Sequence, residues 1–104
     1  DYTDPKSNVA QMLNVARVPG ESQSVTYARG LSRGAEPRTR WVYNTLETNL
    51  LGDIVSSAVG MPLAAYAKQK IVEPAGFAGS LFWMTDRGTD NIGGCCLSLT
   101  LADY

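Results

Sequence analysis

The strongest pattern in this sequence is an apolar stripe at helical spacing between positions 46 and 58. Its members recur three or four residues apart, as on one face of a helix, and they are Leu46, Leu50, Leu51, Ile54, Val55 and Ala58. Thr45 or Thr48 is expected to cap this helix, and Gly60 fits its end. Pro62 fits the first turn of a second helix. The stripe therefore predicts two consecutive helices with apolar faces that must be buried.

The segments around this helix pair predict shorter elements. A first helix is expected to start at Asp4-Pro5, followed by Lys6 and Ser7, and to be stopped by Pro19-Gly20. Residues 21–40 are polar and rich in Gly and Pro, which predicts mostly loop with at most one short helical turn. The second helix of the pair is expected to end at Glu73-Pro74, because proline interrupts helical hydrogen bonding. Residues 75–79 then form a turn.

The C-terminal quarter has a different pattern. Residues 81–84 predict one short strand, residues 85–94 a loop, and Ser98 or Thr100 the N-cap of a further helix. A one-turn helix is marginal alone, so we expect it to continue past Tyr104. The fold class predicted for this segment is mainly α with long loops. Residues 1–104 are expected to be a single segment of a larger domain, without a complete core of their own.

Charge and composition exclude several classes of partner. Nine basic and ten acidic residues give a formal net charge of -1. This balance offers no electrostatic reason to expect a nucleic acid or an anionic membrane as partner. No apolar run approaches the roughly 18 residues that span a bilayer. We therefore expect a globular segment with no nucleic-acid partner and no membrane span.

The chain contains no His, which limits its chemistry. Ser-His-Asp and Cys-His catalytic sets cannot be formed within these residues. Asp86, Asp90 and Asn91 lack the spacing of a calcium loop, so no metal site is expected. Cys95 and Cys96 are adjacent, whereas a disulfide normally joins Cα atoms farther apart than the about 3.8 Å of one peptide unit. We expect both to be small buried apolar side chains.

An ordered series of short motifs runs along nearly the whole chain. It comprises Glu-Pro-Arg-Thr-Arg-Trp-Val-Tyr-Asn-Thr at 36–45, Leu-Leu-Gly at 50–52, Gly-Met-Pro-Leu-Ala-Ala-Tyr at 60–66, Trp-Met-Thr-Asp at 83–86, Gly-Gly at 93–94 and Thr-Leu-Ala-Asp-Tyr at 100–104. The series resembles the serine β-lactamase-related hydrolases, which include class C β-lactamases and penicillin-binding-protein-like esterases. Residues 1–5 are similar to the 6-aminohexanoate-oligomer hydrolase branch. The resemblance implies an α/β fold of the β-lactamase/transpeptidase type, with a helical insert beside an antiparallel sheet.

The resemblance also implies a reaction. A Ser of a Ser-x-x-Lys motif attacks an ester or amide carbonyl, and an acyl-enzyme is then hydrolysed without a cofactor. Tyr43 is implied as the catalytic residue that takes the Ser proton, with a neighbouring Lys ammonium favouring its phenolate form. No Ser in this sequence is followed by Lys three residues later. The nucleophile is therefore expected outside residues 1–104, and this chain alone is expected to be inactive.

Four further residues are candidates for substrate binding. Asn44 and Thr45 follow the implied catalytic residue, Trp83 is a candidate wall of the cleft, and Gly94 allows close approach of the backbone to a ligand. Each also has a structural interpretation, as a helix cap, a core side chain or a turn residue. Thr45 stands where the family usually has Asn, and Arg38 stands where it usually has Gly.

Other interpretations of the sequence are open. One is a stand-alone helical interaction module without chemistry, which would explain the absent nucleophile. Another is a catalytically inactive relative that keeps the fold. In the hydrolase interpretation, the partners are a small ester or amide substrate and the remainder of the same hydrolase domain.

Overall fold

The computed structural model describes residues 3–104. Three helices form its N-terminal part: α1 (Asn8–Asn14), α2 (Gln23–Arg29) and the longer α3 (Thr45–Val59). Each of the three packs against the other two. The 31–44 stretch that joins α2 to α3 is irregular and almost entirely exposed. The helical core is therefore built around one side of α3.

A second helical segment follows the left-handed Gly60 (φ 69°). It consists of α4 (Leu63–Ala67), a π-helical turn (Lys68–Val72) and α5 (Glu73–Ala75), and α4 packs on α3. A short hairpin completes the chain, in which β1 (Phe82–Trp83) pairs antiparallel with β2 (Leu97–Ser98). A 3-10 turn (Leu101–Asp103) follows. The mainly helical class with long loops is confirmed for this segment, with a small antiparallel sheet.

Some predicted boundaries were wrong because long-range contacts override local pattern. The 21–40 stretch contains the two-turn helix α2, whose first N–H, from Gln23, donates to the distant Asp86 carboxylate at 2.9 Å. The first helix ends at Asn14, well before Pro19, because Val15 is extended (φ -63°, ψ 143°). Strand β2 was not predicted, since only pairing with β1 gives residues 97–98 a partner.

Pro74 does not end the helix that contains it. The Glu73 N–H donates to the Lys68 carbonyl five residues back, which is a π-type bond. This turn shifts the hydrogen-bond register just before the proline, so the chain continues helical to Ala75. Gly76 then ends the helix in the left-handed conformation (φ 71°), as glycine commonly does.

Helix α3 buries a different face from the one its apolar stripe predicted. Its buried residues are Thr45, Leu46, Asn49 and Gly52. Leu51 and Ile54, both members of the stripe, are 61% and 62% exposed. Leu46 belongs to the core of this segment, Leu50 and Val55 are half-buried, and Leu51, Ile54 and Ala58 are exposed.

A close backbone contact explains which face of α3 is buried. A Cβ atom on Gly52 would lie 3.1 Å from the Gly93 Cα, and one on Gly93 would lie 3.2 Å from the Thr48 carbonyl oxygen. Two glycines therefore let the 85–94 loop lie directly against the helix. The loop covers the polar face of α3, and the apolar stripe is left on the other side.

The prediction for the two cysteines was wrong. Cys95 and Cys96 are joined by a disulfide, and both residues are exposed. Their Cα atoms are 3.7 Å apart, the spacing of one peptide unit. The bond between neighbours is accommodated by the backbone, because Cys96 adopts a left-handed conformation (φ 71°).

Between residues 3 and 104, no single helix is long and apolar enough to cross a bilayer. In the same part of the chain, the helical segments Thr45–Val59 and Leu63–Ala75 are long and apolar enough only when they are counted together, and a 73° bend separates them.

Candidate functional site

Tyr43 lies in the extended segment that leads into α3. Its side chain is 72% exposed, and no other residue in the described part of the chain hydrogen-bonds its hydroxyl. Its position is fixed by the next residue, because the Asn44 side-chain oxygen accepts the Leu46 N–H at 3.0 Å. Asn44 is therefore the N-cap of α3, and the prediction of Thr45 or Thr48 as the cap was wrong.

The cap holds Asn44 in a defined orientation. Its backbone is extended (φ -145°, ψ 114°), as is usual for a cap residue. The cap uses only the amide oxygen, and the side-chain NH₂ group has no hydrogen-bond partner among residues 3–104. An amide NH₂ group can donate two hydrogen bonds, so it is suited to orient a carbonyl oxygen. A substrate-binding role for Asn44 stays a prediction.

Thr45 and Gly94 lie together on the buried side of α3. A Cβ atom on Gly94 would lie 2.9 Å from the Thr45 Cγ2 atom. The Gly94 N–H donates to the Asn49 side-chain oxygen at 2.7 Å. Because Gly94 has no side chain, its backbone can lie close to α3. Substrate-binding roles for Thr45 and Gly94 stay predictions.

Trp83 occupies a different region of the molecule from Tyr43. Its indole N–H donates to the Ile92 and Cys95 carbonyls at 2.9 and 3.0 Å. Its ring lines an apolar cavity of about 370 Å³ together with Val55 of α3. Val55 lies ten residues beyond the start of α3, about 15 Å along the helix axis. The structure therefore does not bring Trp83 together with Tyr43 in this segment.

Two open depressions flank Tyr43. One, of about 250 Å³, is formed with the start of α1 and includes Ser7 and Asn8. The other, of about 320 Å³, lies over the outer face of α3 and includes Trp41 and Leu51. Trp41 is 85% exposed. The Tyr43 side chain therefore has open space on both sides, bordered by both polar and apolar residues.

A buried polar network lies on the opposite side of α3. The Ser22 and Ser24 hydroxyls donate to the same Asp53 carboxylate oxygen at 2.9 and 2.5 Å. Burial raises the pKa of the Asp53 carboxyl above its ordinary value. The two serine hydrogen bonds oppose this shift, and the nearby charges of Asp90 and Asp86 add to it. Across residues 3–104, no group of three or more His, Cys, Asp or Glu side chains is placed to hold a metal ion.

Asp53→Asn is expected to remove a pH-dependent part of the folding stability. Because the folded pKa is raised, the stabilisation from protonated Asp53 is complete below the unfolded pKa and is lost as pH rises through the folded pKa. The wild type should therefore lose free energy of unfolding relative to Asp53→Asn between about pH 4 and about pH 7. Urea titrations at both pH values measure this difference, with the exposed Glu36→Gln as control. An unchanged difference between wild type and Asp53→Asn would contradict the prediction.

A second buried centre joins α2 to the 85–94 loop. The Asp86 carboxylate accepts the backbone N–H groups of Gln23, Gly88 and Asp90 at 2.9, 2.7 and 3.1 Å. Gln23, only 1% exposed, donates from its side chain to the Val15 carbonyl at 2.8 Å. Its side-chain oxygen accepts the Arg87 N–H at 3.1 Å.

Sequence reasoning assigned this connecting role to none of these residues, although one signal was present. Thr45, Asn49, Gly52 and Asp53 recur at i, i+4, i+7 and i+8, which marks a second, polar face on α3. A polar face opposite an apolar stripe normally faces solvent. Here it is buried because α2 and the loop supply hydrogen-bond partners.

The mainly helical segment, with an exposed tyrosine before a capped helix, fits the class implied by the motif series, a serine hydrolase. A family model described as Beta-lactamase matches residues 1–91, and the chain belongs to this family of serine β-lactamase-related proteins. Family membership indicates a serine-hydrolase type of function. No curated protein and no solved structure matches the chain.

Proposed function

We propose that this chain is the helical segment of a serine hydrolase that cleaves ester or amide bonds through an acyl-enzyme, with Tyr43 as its acid–base residue. The observation that carries the proposal is the exposed Tyr43 side chain, whose hydroxyl has no hydrogen-bond partner among residues 3–104, at the capped start of α3 in a chain of the β-lactamase family. A general base must reach the proton that it removes, and the oxygen of an exposed side chain is available for this.

In this proposal the nucleophile lies outside residues 1–104, since no Ser here has Lys three residues later. The Ser oxygen attacks the carbonyl carbon. Tyr43, in the phenolate form that the family resemblance implies, takes the Ser proton and returns it to the leaving group. Backbone N–H groups stabilise the oxyanion, and water then cleaves the acyl-enzyme. The Asn44 NH₂ group, beside Tyr43, donates to a substrate oxygen.

The surface around Tyr43 supports a partner that completes the site. Trp41, Val42, Leu51 and Ile54 are exposed apolar residues before and along the outer face of α3. Contiguous apolar surface of this kind usually marks an interface. We assign this face to the remainder of the same hydrolase domain, which would bring the Ser and Lys to Tyr43.

The substrates proposed are small esters and linear amides. This choice rests on the similarity of residues 1–5 and of Tyr43-Asn44-Thr45 to the 6-aminohexanoate-oligomer hydrolase branch. Asp1 and Tyr2 lie outside the residues that the structure describes.

Covalent labelling tests this proposal. A fluorophosphonate, which reacts with activated serines, is added to the native purified protein, and the labelled peptide is identified by mass spectrometry. We expect one labelled Ser, outside residues 1–104 and followed by Lys three residues later. Heat-denatured protein is the control and should not be labelled. Label on a Ser within residues 1–104, or no label on active protein, would contradict the proposal.

A further inference from the structure

The Cys95–Cys96 disulfide stands at the junction between the loop that covers α3 and the β1–β2 hairpin. The Cys95 carbonyl accepts the Trp83 indole N–H at 3.0 Å. The Cys96 carbonyl accepts the Met84 N–H at 3.1 Å, one residue beyond the paired strand β1. The pair therefore lies between strand β2, which follows it, and the Gly93–Gly94 turn, which precedes it.

The backbone at this junction has a conformation that cysteine rarely adopts. Cys96 has φ 71°, in the left-handed region where a Cβ atom is disfavoured. The disulfide closes a small ring through the Cα and Cβ atoms of both residues and the peptide that joins them. Such a ring restricts rotation about the backbone bonds on either side of this peptide, so it holds the Cys96 backbone in its left-handed conformation.

The same junction is in contact with α3. Gly94, directly before Cys95, donates its N–H to Asn49 at 2.7 Å and packs against Thr45. Thr45 is the first residue of α3 and lies two residues after Tyr43. Cys96 is therefore two residues from a turn that lies directly on the start of α3.

We propose that Cys95–Cys96 is a thiol–disulfide exchange site for external dithiols, and that its oxidised form holds the Gly93–Gly94 turn against α3. Both cysteines are exposed, so an attacking thiolate can reach a sulfur atom. The thiolate bonds to one cysteine sulfur, the Cys95–Cys96 bond breaks, and the other cysteine leaves as a thiolate. The second thiolate of the reagent then attacks the reagent sulfur of this mixed disulfide, and the remaining cysteine leaves as a thiolate. The cysteines are reduced by two electrons, and the dithiol becomes a disulfide.

Alkylation under native conditions tests the accessibility of the pair. The purified protein is treated with iodoacetamide with and without dithiothreitol, and the peptide containing Cys95 and Cys96 is analysed by mass spectrometry. We expect no alkylation without reductant and alkylation of both cysteines with it. Alkylation without reductant, or resistance to reductant until the protein is denatured, would overturn the proposal. Neither measurement depends on hydrolytic activity.

A matched pair of variants tests whether the disulfide holds the turn. Cys95→Ser with Cys96→Ser removes the bond but keeps a Cβ atom at position 96. Cys95→Ser with Cys96→Gly also removes the bond, but glycine accepts a positive φ. In the Ser/Ser variant, we expect the Gly94 and Met84 amide hydrogens to exchange about tenfold faster than in the oxidised wild type. In the Ser/Gly variant they should exchange within about twofold of the wild type. Exchange at the wild-type rate in the Ser/Ser variant would overturn the proposal.

Discussion

Tyr43→Phe is expected to lower kcat/KM for ester hydrolysis by about 10²–10⁴-fold, the usual contribution of a positioned acid–base group. Phenylalanine keeps the ring and loses only the hydroxyl that exchanges the proton with the nucleophile. The side chain is mostly exposed and its hydroxyl has no partner within residues 3–104. The fold should therefore be unaffected, and the loss should be in kcat more than in KM.

Tyr27→Phe is the matched control. Tyr27 lies in α2, and its hydroxyl is 3.1 and 2.9 Å from the side-chain oxygens of Asn8 and Gln11, between which its one proton is shared. Removing it should change kcat/KM by less than about twofold, with a small loss of stability. Steady-state hydrolysis of a chromogenic ester by the purified protein measures both variants. A Tyr43→Phe protein as active as Tyr27→Phe would refute the assigned role of Tyr43.

Asp86→Ala is expected to lower the free energy of unfolding by about 3–5 kcal/mol. Three backbone N–H groups lose their acceptor together, and each loses a hydrogen bond to a charged group. One of them, from Gln23, starts α2, so this helix should fray along with the 85–94 loop. Urea denaturation measures the change, and circular dichroism reports the loss of helix.

Two control variants test whether the loss of stability in Asp86→Ala comes from the hydrogen bonds of the Asp86 carboxylate. Asp86→Asn keeps one acceptor oxygen, so it should lose about half as much stability as Asp86→Ala. Asp4→Ala removes an exposed carboxylate with one backbone hydrogen bond, to the Lys6 N–H at 2.8 Å. Its loss should be under about 1 kcal/mol. Equal losses in Asp86→Ala and Asp4→Ala would mean that Asp86 does not organise the loop.

The local sequence pattern correctly predicted those helices and strands that are specified by residues close together in the sequence. The period of the apolar stripe located α3, and Gly60 and Pro62 located the break before α4. Residues 81–84 were correctly expected to contain a short strand, and Thr100 to precede a helical turn. In each case the deciding residues lie within a few positions of one another, so no knowledge of the fold was needed.

The candidate site was predictable only in part. The ordered motifs pointed to the β-lactamase family, which the match over residues 1–91 confirms. They also singled out Tyr43, whose catalytic role stays a prediction. The cap on its neighbour was assigned to the wrong residue, because Asn44, Thr45 and Thr48 are all suitable cap residues in sequence. Only the backbone conformation at the helix start distinguishes them.

The sequence by itself determined where α3 lies, where Gly60 and Pro62 separate it from α4, and which family the chain belongs to. Tertiary structure alone decided which face of α3 is buried, because the Gly52–Gly93 contact and the hydrogen bonds of Asn49 and Asp53 join residues distant in sequence. It also decided the Cys95–Cys96 bond, which depends on a left-handed backbone at Cys96. The physical reason is the same in both cases: periodicity records local geometry, whereas burial and bonding depend on which distant groups the fold brings into contact.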